Sequence, residues 1–239
     1  MDAWLVDLDA AGTARLPDHR PGGLTAREAR RVAACANREA ARRLLGTGRV
    51  VRHLLAGWLG TAPAEVRIAR GPTGKPYLPD HPERHVSWSR SDGLLLLCAA
   101  ADGPIGADVE VVRPLRSALD VLSVVVPDLP PQAVPESFFP AWTLLEAAVK
   151  ATGQGLAEGA GSVRLSFAPG GAVGLRGIAG HPPGAWHART TVLPAARASS
   201  AAVASFVSPA ALPPVAVRRW PGADGAGTGE RAGGPQPHL

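Results

Sequence analysis

The chain has 239 residues, 46% of them hydrophobic, and a formal net charge of +5, which suffices for one large domain or two of ordinary size. No apolar run reaches the length of a membrane span, and the amino end, M-D-A-W-L-V-D-L-D, is acidic where a signal peptide would be basic, so a cytoplasmic protein is expected. Cys35 and Cys98 show neither metal spacing nor a disulfide framework, which leaves buried free thiols as the expectation.

In chain order, Thr25-Ala-Arg-Glu28 reads as a capping box opening a helix to about residue 45, where Gly46-Thr47-Gly48 interrupts it. A second helix, about 49–59, ends at Gly60. Eight arginines stand between Arg27 and Arg52, against Glu28 and Glu39; such a region suits phosphates or an acidic partner protein, and equally a solvated helix face. Residues 66–69 and 85–88 read as strands around a turn-rich loop at 71–76, and strands at 94–101 and 105–112 flank Asp102-Gly103, a hairpin signal.

From Leu115 the pattern restarts: a helix to about 126, a proline-rich bend, a helix over 136–152, then strands at about 163–167, 172–175, 186–193 and 201–207. Helices precede strands twice, in segments of similar length. The expected class is α+β, with one half over 1–112 and a similar half over 113–220 packed side by side. Residues 221–239 contain nothing to bury and read as a disordered tail.

Of the 25 lysine and arginine residues only Lys75 and Lys150 are lysine. The loop Arg70-Gly-Pro-Thr-Gly-Lys-Pro76 fails the phosphate-loop template, because Ala69 occupies the first glycine position and Pro76 stands where a magnesium-binding Ser or Thr belongs. Lys75, fixed between Gly74 and Pro76, suits a phosphate contact or stands idle at the surface. In Ile105-Gly-Ala-Asp-Val-Glu110, Asp108 and Glu110 leave the same strand face. Ionised together at an effective dielectric of ~20 they repel by roughly 2 to 3 kcal/mol. A cation would reverse that penalty, and an exposed edge would screen it. Glu146 and Lys150 stand four apart on a helix, a pair worth only about 0.2–0.5 kcal/mol, so helix stability gives little reason for a lysine there. If that helix packs across the hairpin, Asp108, Glu110 and Glu146 converge on one magnesium with Lys150 a turn away. His81-Pro-Glu-Arg-His85 does not match a zinc-binding H-E-x-x-H helix, and no G-x-S-x-G elbow is present.

Taken in order, Gly74-Lys-Pro76, Val86-Ser-Trp-Ser89, Ile105-Gly-Ala-Asp-Val-Glu110 and Trp142-Thr-Leu-Leu-Glu-Ala-Ala-Val-Lys150, followed by Gly153-Gln-Gly155, resemble the signature blocks of the 4'-phosphopantetheinyl transferases. The closest class is the larger, pseudodimeric one that activates carrier proteins of polyketide and nonribosomal peptide synthases. The resemblance implies two similar α+β halves packed as a pseudodimer, with a coenzyme A cleft at their junction. It further implies transfer of phosphopantetheine from coenzyme A to a serine of an acyl or peptidyl carrier protein.

By the same resemblance, Asp108, Glu110 and Glu146 would hold magnesium, with manganese as the alternative, on the coenzyme A pyrophosphate. Lys150 would stabilise charge on the leaving 3',5'-ADP, and Glu146 would take the proton of the attacking serine. Lys75 and Ser87 match positions that hold the nucleotide, and Arg52, with Arg49, matches a basic position on its phosphates. Trp88 stands where a histidine contacts coenzyme A, Leu145 and Gln154 replace lysines, and His85 replaces a frequent asparagine; these departures bear on affinity rather than reaction type. A monomer is expected, docking an acidic carrier protein, with no nucleic acid and no membrane as partner. Two rival readings are a non-catalytic coenzyme A and carrier-protein binding module, and a basic nucleic-acid-binding protein using the arginine-rich helices.

Overall fold

The computed structural model describes residues 1–17, 26–126, 129–194 and 201–220. Its first region comprises β1 (Asp2–Asp7), α1 (Ala11–Ala14), α2 (Ala26–Ala33), α3 (Arg38–Leu59), β2 (Ala69–Arg70), β3 (Pro76–Tyr77), β4 (His85–Ser91), β5 (Leu94–Ala100) and β6 (Gly106–Val111). Then follow α4 (Ala118–Val125), α5 (Phe138–Thr152), α6 (Leu156–Gly159), β7 (Val163–Phe167), β8 (Val173–Ile178), β9 (His187–Pro194), β10 (Ala201–Ser208) and β11 (Val217–Trp220). The architecture is mixed α and β.

Leu-Leu-Leu-Leu-Cys-Ala-Ala is apolar at every position, and β5 is buried at every position, as a strand covered on both faces must be. It sits inside a sheet ordered β11-β1-β5-β4. Leu95, Leu97 and Ala99 face α3, packing on Val50, Val51, Leu54 and Leu55. Leu94, Leu96 and Cys98 face the other way, onto Ile105, Ala107, Val109, Ala204 and Phe206 of a second sheet ordered β6-β10-β9. On the far side of that second sheet lies α5, whose Leu144, Leu145 and Ala148 pack with Val163, Ile178 and Val207. The strands β2 and β3, and β7 and β8, form two separate hairpin ladders.

Several sequence expectations change here. Gly46 and Gly48 do not interrupt the helix: α3 runs unbroken from Arg38 to Leu59. Each interior glycine costs about 1 kcal/mol, and the buried face of Val50, Val51, Leu54 and Leu55 outweighs it. The break falls earlier, before Asn37, whose side chain accepts the Ala40 amide at 2.8 Å and caps α3. Thr25 of the expected capping box lies outside the described residues, as does the 221–239 tail.

Asp102-Gly103 does not close a hairpin. Both edges of β5 are already paired, to β1 and to β4, so β6 leaves the sheet and pairs with β10, Gly103 turning the chain at φ 121°. The strand expected at 66–69 is reduced to the two residues of β2. β1 and β11, which the sequence reading left out, pair in parallel with each other. Cys98 is buried as expected, whereas Cys35 is partly exposed, and both are free. No described helix is long and apolar enough to cross a membrane.

Candidate active site

The site begins with a close approach of helix to strand. A methyl group on Gly106 would overlap the Ala147 carbonyl and the Ala151 amide of α5, so a glycine at the start of β6 lets the helix backbone lie on the strand. Alanines at 147, 148 and 151 keep that face of α5 small. The alternation of β6 points Ala107 and Val109 into the core between the sheets and Asp108 toward α5. One turn apart on that helix, Glu146 and Lys150 then overhang Asp108.

Lys150 Nζ lies 2.5 Å from Asp108 Oδ1 and 3.1 Å from Glu146 Oε2. It also donates to Ser89 Oγ at 3.1 Å, and Ser89 donates to Asp108 Oδ1 at 2.5 Å. Asp108 is only 1% exposed, and its second oxygen, Oδ2, is buried with no hydrogen-bond partner. Burial pushes the Asp108 carboxyl up to about 7, further raised by Glu146 and opposed by Lys150 and Ser89. Burial alone would lower the Lys150 ammonium, but Asp108 and Glu146 together hold it above the ordinary lysine value. Lys150 is therefore a cation at any physiological pH, sharing one small space with two carboxylates.

The turn-rich loop docks on the end of the same helix. Within it, Gly71 N–H donates to the Lys75 carbonyl and Gly74 N–H to the Gly71 carbonyl, both at 2.9 Å, and Gly74 has φ 89°, which favours glycine. Outward, Thr73 Oγ1 donates to the Gly153 carbonyl at 2.6 Å and Lys75 Nζ to the Ala151 carbonyl at 2.5 Å. A cation at these last carbonyls complements the helix dipole, and burial lowers the Lys75 ammonium to about 8. Gly153, at φ 77°, closes α5 beneath it.

Between loop and helix opens a cleft of about 230 Å³. Its walls bring Arg70, Lys75, Ser87 and Trp88 from the first half of the sequence beside Glu146 and Lys150 from the second. Trp88 carries the Arg70 guanidinium 5.3 Å from its ring centroid, and Arg70 also donates to the Gly74 carbonyl at 2.7 Å.

Of the residues singled out from the sequence, Asp108, Glu146 and Lys150 meet directly, and Lys75, Ser87 and Trp88 share the cleft with the latter two. Glu110 is held elsewhere: Ser91 donates to its Oε2 at 2.6 Å and Arg113 lies 3.5 Å from it. Among the described residues no group of three or more His, Cys, Asp or Glu is placed to hold a metal ion, so the three carboxylates do not converge as expected. Arg49 and Arg52 stand half-buried on α3 and do not line the cleft. Sequence reasoning missed Arg70, Thr73, Ser89 and Ser91 as site residues; the alternate serines 87, 89 and 91, sharing one strand face, were the available signal.

No family model matches the chain. A 4'-phosphopantetheinyl transferase of Bacillus subtilis is 26% identical over 191 residues, covering 77% of this chain and 84% of that protein. The 4'-phosphopantetheinyl transferase HetI of Nostoc sp. is 33% identical over 130 residues, and Sfp of Bacillus subtilis 29% over 126; each match covers 49% of this chain and 54% of the relative. The chain thus spans about half the length of these last two. Together the matches support the 4'-phosphopantetheinyl transferase superfamily.

Proposed function

We propose that this chain, a transferase of that superfamily, moves the 4'-phosphopantetheine group of coenzyme A onto a serine of an acyl or peptidyl carrier protein. The observation that carries the reading is Lys150 held between Asp108 and Glu146 on the wall of a cleft that also contains Lys75 and Ser87. Phosphoryl transfer asks little covalent chemistry of a protein and much positioning and charge neutralisation. A lysine ammonium is a compact point charge that approaches a phosphate oxygen more closely than the guanidinium fork. Lys150 supplies that charge to the departing 3',5'-ADP, and Glu146, beside it, accepts the proton of the serine hydroxyl.

The orphaned Oδ2 of Asp108 fits a divalent cation. So does the donor set, because magnesium takes few carboxylates and completes its shell with water and substrate phosphates. Asp108 and Glu146 would hold the ion, with manganese as the alternative metal. When bound, the ion supplies positive charge to the pyrophosphate.

Lys75, Ser87 and Trp88 bind the nucleotide in this reading, and Arg49 and Arg52 add positive charge from α3. The basic surface docks an acidic carrier protein, with attraction that weakens as salt rises. A pseudodimeric arrangement, cytoplasmic location and a monomeric state belong to the same proposal. The transferase names of the relatives favour neither the non-catalytic nor the nucleic-acid reading. Incubation with coenzyme A, magnesium and an apo carrier protein should add one phosphopantetheine to the carrier, read by intact mass. No addition to any of several acyl and peptidyl carriers would count against the proposal.

A further inference from the structure

β4 is the outer strand of its sheet, and its alternation turns successive side chains to opposite faces. Ser87 and Ser89 face β6, where Ser87 accepts the Ala107 amide at 3.0 Å and Ser89 meets Lys150 and Asp108. Trp88 faces the other way and packs against the core beneath α3. Ser87 and Trp88 both line the cleft, so it wraps the outer edge of β4, with Lys150 on one side and the indole on the other. On the indole side stands Arg70. Its backbone pairs with Pro76 in the β2–β3 ladder, its Nη1 donates to the Gly74 carbonyl at 2.7 Å, and its guanidinium lies 5.3 Å from the Trp88 ring centroid. A guanidinium fixed in this way loses little freedom when it binds, and its planar fork matches the oxygens of a phosphate. It also stays charged at any physiological pH, whereas burial lowers the neighbouring Lys75 ammonium to about 8.

We propose that Arg70 is the specificity residue for the ribose 3'-phosphate of coenzyme A. This rests on the functional reading above. Coenzyme A carries phosphate in two places, the pyrophosphate at which transfer occurs and the monoester on the ribose. Lys150 and Glu146 mark the place of the first. Arg70 stands on the far side of the β4 edge from Lys150, so a nucleotide draped over that edge puts its reacting phosphorus beside Lys150 and its ribose beside Trp88. A phosphate monoester carries about −1.5 to −2 charge at neutral pH, which a permanent cation with a bidentate fork reads best.

The test measures, by calorimetry in one magnesium-containing buffer, the binding of coenzyme A and of 3'-dephospho-coenzyme A to full-length wild-type, Arg70→Ala and Arg70→Lys proteins. Wild type should prefer coenzyme A to the dephospho form by about tenfold or more, the scale of a hydrogen bond between charged groups. Arg70→Ala should lose that preference, binding coenzyme A about tenfold or more weakly while the dephospho form stays within about twofold of wild type. The second value also shows that the variant is folded. Arg70→Lys, which keeps the charge and loses the fork, should fall between the two. Equal losses on both nucleotides would assign Arg70 to the pyrophosphate and overturn the proposal, as would an alanine variant that binds coenzyme A within about twofold of wild type. Wild-type protein that binds neither nucleotide overturns the functional reading together with the role of Arg70. The expected binding pattern without transfer to any carrier protein sinks the functional reading alone.

Discussion

On α3, Arg42, half exposed, meets Asp9 at 2.7 Å, with the partly buried Arg43 2.5 Å from the same carboxylate; on α5, Lys150 meets Asp108 at 2.5 Å over a carboxylate that water scarcely reaches. The distances are alike and the consequences are not. Exposed pairs contribute about 0–1 kcal/mol and any basic residue serves, so arginine fills those positions. Removing one partner of a buried pair costs about 3–5 kcal/mol, and a buried carboxylate with an unbonded oxygen is a poor way to stabilise a fold. Perturbed buried groups of this kind cluster at functional sites.

Substitutions should separate the two regions sharply. The largest effect belongs to Gly106→Ala, which forces the α5 backbone off β6; destabilisation of about 3 kcal/mol or more and loss of transfer are expected, read by chemical denaturation and the mass assay. Next, Glu146→Gln should lower kcat by about 10²–10⁴-fold, the usual scale of a general base, while thermal unfolding stays near wild type.

A smaller, pH-dependent effect comes from Lys75. With its ammonium lowered to about 8 by burial, nucleotide affinity should fall as pH rises through 8, by at most about tenfold per unit, and Lys75→Arg should flatten the profile measured by calorimetry. The sign for stability is the reverse. Between about 8 and the ordinary 10.5 the unfolded chain binds the proton that the folded chain has released, so stability increases with pH over that window, and Lys75→Met should abolish the increase. Smallest of all, Arg42→Ala should change unfolding free energy by less than about 1 kcal/mol and leave transfer rates unaltered at moderate salt.

The same contrast explains what the sequence disclosed. The spacing of Glu146 and Lys150 and the run of small and apolar residues around them place α5 within two residues of its observed start and give both charged groups. Alternation on β6 gives Asp108. What stayed hidden depends on partners distant in the chain. Asp102-Gly103 is a strong local turn, but nothing local reveals that β1, ninety residues earlier in sequence, already occupies the edge of β5 that a hairpin would need. Gly46 and Gly48 look like breaks until α3 is seen packed on that sheet. Glu110 shares a strand face with Asp108, yet Ser91 and Arg113 hold it apart from Lys150, and neither contact follows from a period of two.

Single-turnover transfer by Lys150→Ala protein, compared with wild type at saturating coenzyme A and magnesium, tests most directly whether the buried cluster is built for chemistry. A fall in rate of about 10²-fold or more, the scale for removing one transition-state charge contact, with an unchanged circular dichroism spectrum, is the predicted result. A rate within about threefold of wild type would contradict it and return Lys150 to a purely structural role.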